Sequence, residues 1–323
     1  MLKWSRGLVA VLAFAMVAVL GGVAQAYPEK PVRIIVMYSP GGSSDVVTRI
    51  LARHLEPVLG QPIVIQNVNG GGGAVGWQQA LSSDADGYTL TLWLDSMPVM
   101  EATKAVDFTS DDFDIISVWG TMDLTVFAQK DGPYGSLGDY QQAAKDKPGE
   151  VGLAMGYGTP AQFIGKIVAD AMGADVNLVN VGGGAQKKAA VLGGHVDAGI
   201  EPMPGMSEPY RGGQFDILAV LAEDRLATFP EIPTAKEQGV DAVHANTYAL
   251  IAPKGMPADR IKVIEEAVAQ VVDKPEFLDD NAKVNFNITF LNTEDSQARI
   301  EEVQKWAALP HGQTTNDHAT NEH

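Results

Sequence analysis

The sequence predicts an α/β protein organised as two lobes, and three observations carry that expectation. Short β-branched or apolar runs alternate with helix-length segments through most of the chain, the pattern of strand–helix–strand units around a largely parallel sheet. Two units are alike in kind, each a strand, a glycine-rich turn and a helix, and they begin near residues 31 and 151. Two further stretches, the interrupted pair of strands over Ile115–Gln129 and the long strand His244–Ala252, are candidates for crossing between lobes. With 323 residues, 46% hydrophobic and 20% charged, the chain is long enough for one large or two medium domains.

The N-terminus is read apart from the fold. Lys3 and Arg6 precede an apolar run from Gly7 to Gly22, and Ala24-Gln25-Ala26 forms an A-x-A cleavage site. This reads as a secretory signal peptide over residues 1–26, with an uncleaved anchor helix as the less favoured alternative, and the mature, exported chain is expected to begin at Tyr27. No later apolar run is long enough to span a bilayer. The chain has no Cys, so disulfides, thiol catalysis and thiolate metal sites are excluded. Its formal charge is −17, and loss of the leader, which takes Lys3 and Arg6 and no acid, lowers this by two to −19. That field argues against nucleic acid or an anionic membrane as a partner.

The elements follow in order. Pro31–Met37 is an apolar strand, and Ser44–Leu59 an amphipathic helix. Ile63–Gln66 and Tyr88–Leu94 are strands, with a helix over Ala74–Ser82 between them. Ile115–Gln129 reads as two strands broken at Gly120-Thr121-Met122-Asp123. Helices are expected over Leu137–Lys145, Pro160–Met172 and Ala185–Gly193, and strands over Val151–Ala154, Val176–Val179, Val196–Ile200 and Ile217–Leu221. The C-terminal third is helical over Pro257–Val272, Pro275–Ala282 and Glu294–Ala308, with Thr293 as a candidate cap. The lobes are expected at residues 27–124 plus 246–309 and at 125–245, with 310–323 a polar, disordered tail.

The chemistry lies in the glycine-rich turns. Ser39, Pro40, Gly41, Gly42, Ser43, Ser44 and Asp45 join the first strand to the first helix. A helix opening there leaves unpaired N–H groups backed by the helix dipole, an anion site that needs no Lys or Arg. The same glycines also suit a purely structural loop that exploits positive φ. Gly71, Gly73 and Gly76 spell a literal G-x-G-x-x-G, but on the second strand of an exported chain, so a flexible loop is the better reading than a dinucleotide fingerprint. In the second lobe, Gly156, Tyr157, Gly158 and Thr159 precede Pro160, with Ala161 and Gln162 on the first helical turn. Gly182, Gly183 and Gly184 form the other turn. Turns paired in this way fit a ligand held between the lobes. His54 reads as solvated and His195 with Asp197 as an isolated pair. The sequence holds no nucleophile–base constellation, P-loop or metal motif, so neither enzymatic activity, metal nor cofactor is expected.

With these residues in view, the chain resembles the solute-binding proteins of the tripartite tricarboxylate transporter family, the TctC or Bug type. The resemblance rests on the mature start Tyr27-Pro28-Glu29-Lys30-Pro31, the loop Pro40-Gly41-Gly42-Ser43-Ser44-Asp45, the stretch Asn67 to Gly76 and Asp86-Gly87-Tyr88-Thr89. Gly193-Gly194-His195-Val196-Asp197, Phe229-Pro230-Glu231-Ile232-Pro233-Thr234 and Ala252-Pro253-Lys254-Gly255-Met256-Pro257 follow in family order. It implies a type II periplasmic binding fold, a monomer that grips a small organic carboxylate through the turns at Ser39–Asp45, Gly156–Gln162 and Gly182–Ala185. It also implies delivery to a membrane transporter with a large and a small subunit; a periplasmic sensor of the same fold is the alternative, and a secreted enzyme is less favoured. The chain departs from the family pattern at Ala161, Gln162, Val181-Gly182-Gly183 and Glu201. An ionised Glu201 facing the cleft would repel a second carboxylate, which favours a ligand with one acid group and a neutral or cationic far end; a dicarboxylate held through water and the Gly182–Gly184 amides is the runner-up, and a Glu201 turned to solvent would decide nothing.

Overall fold

The computed structural model describes residues 27–156 and 160–308. The chain opens with β1 (Val32–Val36), α1 (Ser43–Leu59), β2 (Ile63–Asn67), α2 (Ala74–Leu81), β3 (Thr89–Leu94) and α3 (Ser96–Ala102). The long β4 (Phe113–Gln129) follows, then α4 (Leu137–Asp146), β5 (Gly152–Met155), α5 (Pro160–Met172), β6 (Asn177–Asn180) and α6 (Gly184–Leu192). Next come β7 (Ala198–Pro202), α7 (Met203–Arg211), β8 (Phe215–Val220) and β9 (Ala245–Pro253). The chain closes with α8 (Ala258–Val272), α9 (Pro275–Ala282), β10 (Asn287–Leu291) and α10 (Thr293–Ala307).

Two parallel sets of strands are joined through β4. In lobe I, β1 pairs parallel with β2 and β3, and β3 continues antiparallel to β9. The first part of β4 pairs with β9 and β10. Its last part runs into lobe II, antiparallel to β7 and β8, and β7 continues parallel to β5 and β6. Burial follows the same division. One core draws only on residues between Val32 and Val303 that skip the middle of the chain, ending at Met122 and resuming at Tyr248. Two other clusters draw only on Leu124 to Ala242. In α1 the inward stripe is Val47, Thr48, Leu51, Ala52 and Leu55, spaced as one helical face. Gly60 ends the helix in the left-handed region, its N–H returning to Glu56 O at 2.9 Å.

Three expectations need correction. β4 is one strand, not two: Gly120 marks no break but a close approach, since a Cβ there would lie 2.4 Å from Asn287 O and 2.5 Å from the Phe286 ring. Thr293 is the first residue of α10 rather than its cap. Asn292 Oδ1 accepts from Asp295 N at 2.9 Å, while the Thr293 hydroxyl donates to Ile116 O. His54 is not simply solvated, for its ring meets Asp280 at 2.9 Å and packs edge-on against Phe277. The elements α3, α7 and β10 were not anticipated. The expected signal peptide and C-terminal tail lie outside the described residues; among the described residues no helix is long and apolar enough to cross a membrane.

Candidate functional site

The turn after β1 is held open by its own acid. Gly41 sits at φ +76°, a conformation that favours glycine. This bend lets the Asp45 carboxylate fold back to accept from Gly41 N at 2.9 Å, from Arg49 Nε and from Asn67 Nδ2. Burial alone would raise the Asp45 pKa, but the bonds from Arg49, Gly41 and Asn67 outweigh it and hold the group below the usual carboxylate range. Gly42 N is also taken, donating to Ser39 O at 3.2 Å, and the first helical bond is Val46 N to Gly42 O. The amides of Ser43, Ser44 and Asp45 have no acceptor among the described residues, as the first turn of a helix dictates.

A second helix start faces this one from lobe II. Gly182, at φ +101°, turns the chain after β6, and Gly183 caps α6. Lys187 N makes the first return bond, to Gly183 O, so the amides of Gly184, Ala185 and Gln186 are likewise left without acceptors among the described residues. Two positive dipole ends thus point into one cavity of about 110 Å³ between the lobes. That is room for several waters or one small organic acid.

The walls carry a specific set of side chains. Tyr38, Ser39, Pro40, Gly41, Gly42, Ser43, Ser44, Asn69, Asn246 and Tyr248 come from lobe I and the start of β9. Gly183, Gly184, Ala185, Lys187, Lys188, Glu201 and Pro202 come from lobe II. Lys187 Nζ lies 2.7 Å from Glu201 Oε2, both side chains nearly closed off from solvent at 5% and 6% exposure, and it also donates to Ile200 O. Lys188 Nζ donates to Gly205 O at 3.0 Å and has no carboxylate partner among the described residues. Ser43 Oγ reaches across to Glu201 Oε1 at 3.4 Å and to Pro202 O at 3.5 Å. Gly205 permits this approach, for a Cβ on it would lie 2.4 Å from Ser43 Oγ. Burial pushes the Tyr38 phenol up to about 12, against a smaller lowering by its bond to Ser96 and a further rise from Glu201. The Tyr248 phenol, bonded to Ser44 Oγ at 2.9 Å, is also raised by burial. Both hydroxyls therefore stay neutral.

Of the residues singled out from the sequence, Ser39 to Ser44, Gly183, Gly184 and Glu201 are brought together around this cavity. Asp45 is not; it braces the turn from behind. Gly156 and Gly182 are not among the described residues that line it. Tyr157, Gly158 and Thr159 lie outside the described residues, as do the side chains of Ala161 and Gln162. Two readings change. The main-chain donors free for a ligand start at Ser43, because Gly41 and Gly42 spend theirs within the turn. Glu201 does line the cleft, but as one half of an ion pair with Lys187 rather than as a lone charge. Lys187 escaped sequence reasoning, although a signal existed: it shares the buried stripe of α6 with Val191, four residues on. A lysine on an apolar stripe opposite a glutamate in an apolar strand is the pattern of a buried pair. Elsewhere, Asp197 accepts from Tyr134 Oη and Gly152 N and is structural. Gly76 abuts Met37, where a Cβ would lie 2.8 Å away, so the glycine run serves packing.

Known proteins match this architecture. The family model of the tripartite tricarboxylate transporter family receptor covers residues 47–312. Protein BugT of Bordetella pertussis is 31% identical over 88% of this chain and 90% of its own. Two solved Rhodopseudomonas palustris proteins share the fold at a TM-score of 0.80 each. One is MatC with bound malate, 20% identical over 87% of this chain and 99% of its own. The other, solved with adipate, is 23% identical over 87% and 98%. A family match over most of the chain, a relative aligned nearly end to end and a cleft lined from two lobes of the type II binding-protein fold agree: the chain belongs to the receptor family of the tripartite tricarboxylate transporters, a family of binding proteins rather than enzymes.

Proposed function

We propose that the chain is a periplasmic receptor that closes two lobes, residues 27–124 with 246–309 and residues 125–245, on a small organic carboxylate. It then presents the ligand to a membrane transporter built from a large and a small subunit, acting as a monomer. The observation that carries this reading is the pair of opposed helix starts at Ser43 and Gly184, whose unpaired amides face one cavity. In a chain with a formal charge of −17, local donors of this kind suit an anion that the overall field would repel. Lys188 adds a full positive charge to the same wall. The malate and adipate bound by two proteins of this fold support the same ligand class. Expected from the A-x-A site, residues 1–26 are removed on export.

The test is a thermal-unfolding screen of the mature chain against mono-, di- and tricarboxylates. A ligand at about 100 times its dissociation constant adds about 2.7 kcal/mol, a rise in midpoint of about 5 °C for a chain of this size. The matching scattering curve should contract with saturating ligand as the lobes close. No stabilisation by any acid, with no contraction, would refute the proposal. Uptake of the ligand that survives deletion of the transporter's membrane subunits would refute the delivery step alone.

A further inference from the structure

Helix α7 touches lobe I at both of its ends, and only the first of these contacts belongs to the ligand cavity. Just before the helix, Glu201 Oε1 and Pro202 O accept from the Ser43 hydroxyl, and Gly205 lies against the same oxygen. The helix then packs against α1. Further along, Ser207 Oγ donates to Met203 O at 3.0 Å and accepts from Asn285 Nδ2 at 3.1 Å. Arg211, stacked over the Phe229 ring at 4.8 Å, donates from Nη1 to Lys283 O at 3.3 Å.

Asn285 is the centre of this second seam. Its backbone belongs to lobe I, between α9 and β10. Its N–H returns to Ala282 O at 3.1 Å, and the next residue, Phe286, packs against Trp119 and Tyr248. The φ of +57° is one that asparagine tolerates better than most residues. Its side chain reaches the other way. Nδ2 bonds Ser207 and Oδ1 accepts from the Thr228 hydroxyl, so both ends of the amide are satisfied from lobe II. The residue is 7% exposed. Asn285, Ser207, Thr228 and Arg211 do not line the cavity.

A helix of nine residues is about 13 Å long and moves as one body. Turning lobe II so that Pro202 leaves Ser43 carries Ser207 and Arg211 with it. The buried amide of Asn285 then gives up partners that only lobe II supplies. The seam therefore favours the arrangement in which the cavity is closed, without touching what the cavity holds.

Building on the two-lobed receptor reading above, we propose that Asn285 is a clasp that keeps the closed arrangement of the lobes populated even without ligand. It acts as a positioning residue, and its effect on affinity is indifferent to ligand chemistry. The apparent dissociation constant of such a receptor is the intrinsic one divided by the fraction that is closed, whichever acid binds.

Energy transfer within single ligand-free molecules measures that fraction. The chain has no Cys, so Val64→Cys in lobe I and Leu192→Cys in lobe II, both exposed and neither lining the cavity, carry the dyes. The parent should show two populations, and scattering from the same samples identifies the open one by its larger radius. Asn285→Gly keeps the left-handed backbone and removes the amide. It should lower the ratio of closed to open molecules about tenfold. Ser207→Ala and Thr228→Val should shift it the same way by less. In calorimetry with malate and adipate, Asn285→Gly should weaken both by one common factor, no larger than the shift in that ratio. Ligand-free melting reports whether each variant folds, and Ser207→Ala and Thr228→Val carry the test if Asn285→Gly does not. A parent that is wholly open without ligand, populations unchanged in the folded variants, or a loss confined to one acid would overturn the clasp and leave the carboxylate reading intact. Binding of no acid would remove the carboxylate reading and leave the clasp to be decided by the ligand-free populations.

Discussion

Truncating Lys187 to Met should destabilise the protein by about 3–5 kcal/mol, the cost of breaking a buried ion pair from one side. The perturbation keeps the length of the apolar stem and removes only the charge. At 2.7 Å, the gross attraction at an effective dielectric of about 20 is about 6 kcal/mol. Desolvation of two side chains that are 5% and 6% exposed offsets much of that. What the single variant leaves behind is therefore the unfavourable part alone, a carboxylate with the long Ser43 contact and an Ile200 carbonyl without its ammonium. The double variant Lys187→Met with Glu201→Leu removes both charges and should regain most of the loss, since apolar replacements of a buried pair are near neutral or better. Urea unfolding of ligand-free protein, followed by far-ultraviolet circular dichroism, gives the four corners of the cycle. A single variant within about 1 kcal/mol of the parent, or a double variant as unstable as the single, would refute the burial of this pair as the source of the effect.

Three further outcomes follow from particular contacts. Ser43→Pro removes the first free amide at a position where proline is well tolerated, after a Gly42 already at φ −77° and ψ 167°. Relative to Ser43→Ala, which controls for the hydroxyl, carboxylate affinity should fall about tenfold by calorimetry, and equal affinities would clear this amide of any role. Asp45→Asn weakens the brace of the same turn and should cost about 1–3 kcal/mol at pH 7. Because the native Asp45 pKa is depressed, that stability is present above the unfolded value of about 3.9 and vanishes as pH falls through the folded one; a gap in urea midpoint that persists at pH 2 would contradict this. Asp123 behaves oppositely, since burial raises its pKa more than the bond from Asn287 Nδ2 lowers it. Its stabilising form is the protonated one, complete below about pH 3.9 and lost as pH rises through the folded value, so Asp123→Asn should gain stability between pH 4 and 7 as its thermal midpoints will show, and a variant that gains nothing would count against the burial argument.

Elements with a regular period were legible in the sequence, and those whose residues contradict their conformation were not. The stripe of α1 and the apolar runs of β1, β3 and β5 announce themselves because burial on one face demands that spacing. The segment Met203–Arg211 holds Pro204, Gly205 and Pro209, so local propensity denies the helix that tertiary packing enforces. The helix Ser96–Ala102 is short and buried over most of its length, which erases any amphipathic signal. Asn287–Leu291 becomes a strand because the edge of β4 is there to receive it, a partner far away in sequence. Gly120 misled for a related reason: a glycine that admits a neighbouring chain looks the same in sequence as one that ends a strand.

The site divides along the same line, and the division bears on what a relative can teach. The turns at Ser39–Ser44 and Gly182–Gly184 could be located because glycine runs before a helix leave amides unpaired whatever side chains follow. Which of those amides remain free could not be read, since it depends on the Asp45 carboxylate folding back onto Gly41. The side chains that line the ligand space meet only in three dimensions: Lys187 with Glu201 across two elements, Asn246 and Tyr248 from the strand β9 that lies between β3 and β4. Backbone donors bind an acid group without regard to the rest of the molecule, so they serve many receptors of one fold. Discrimination between acids therefore falls to side-chain positions that line the cavity, such as Glu201, Lys188 and Asn246. A relative's ligand is informative about this chain only to the extent that those positions carry the same groups.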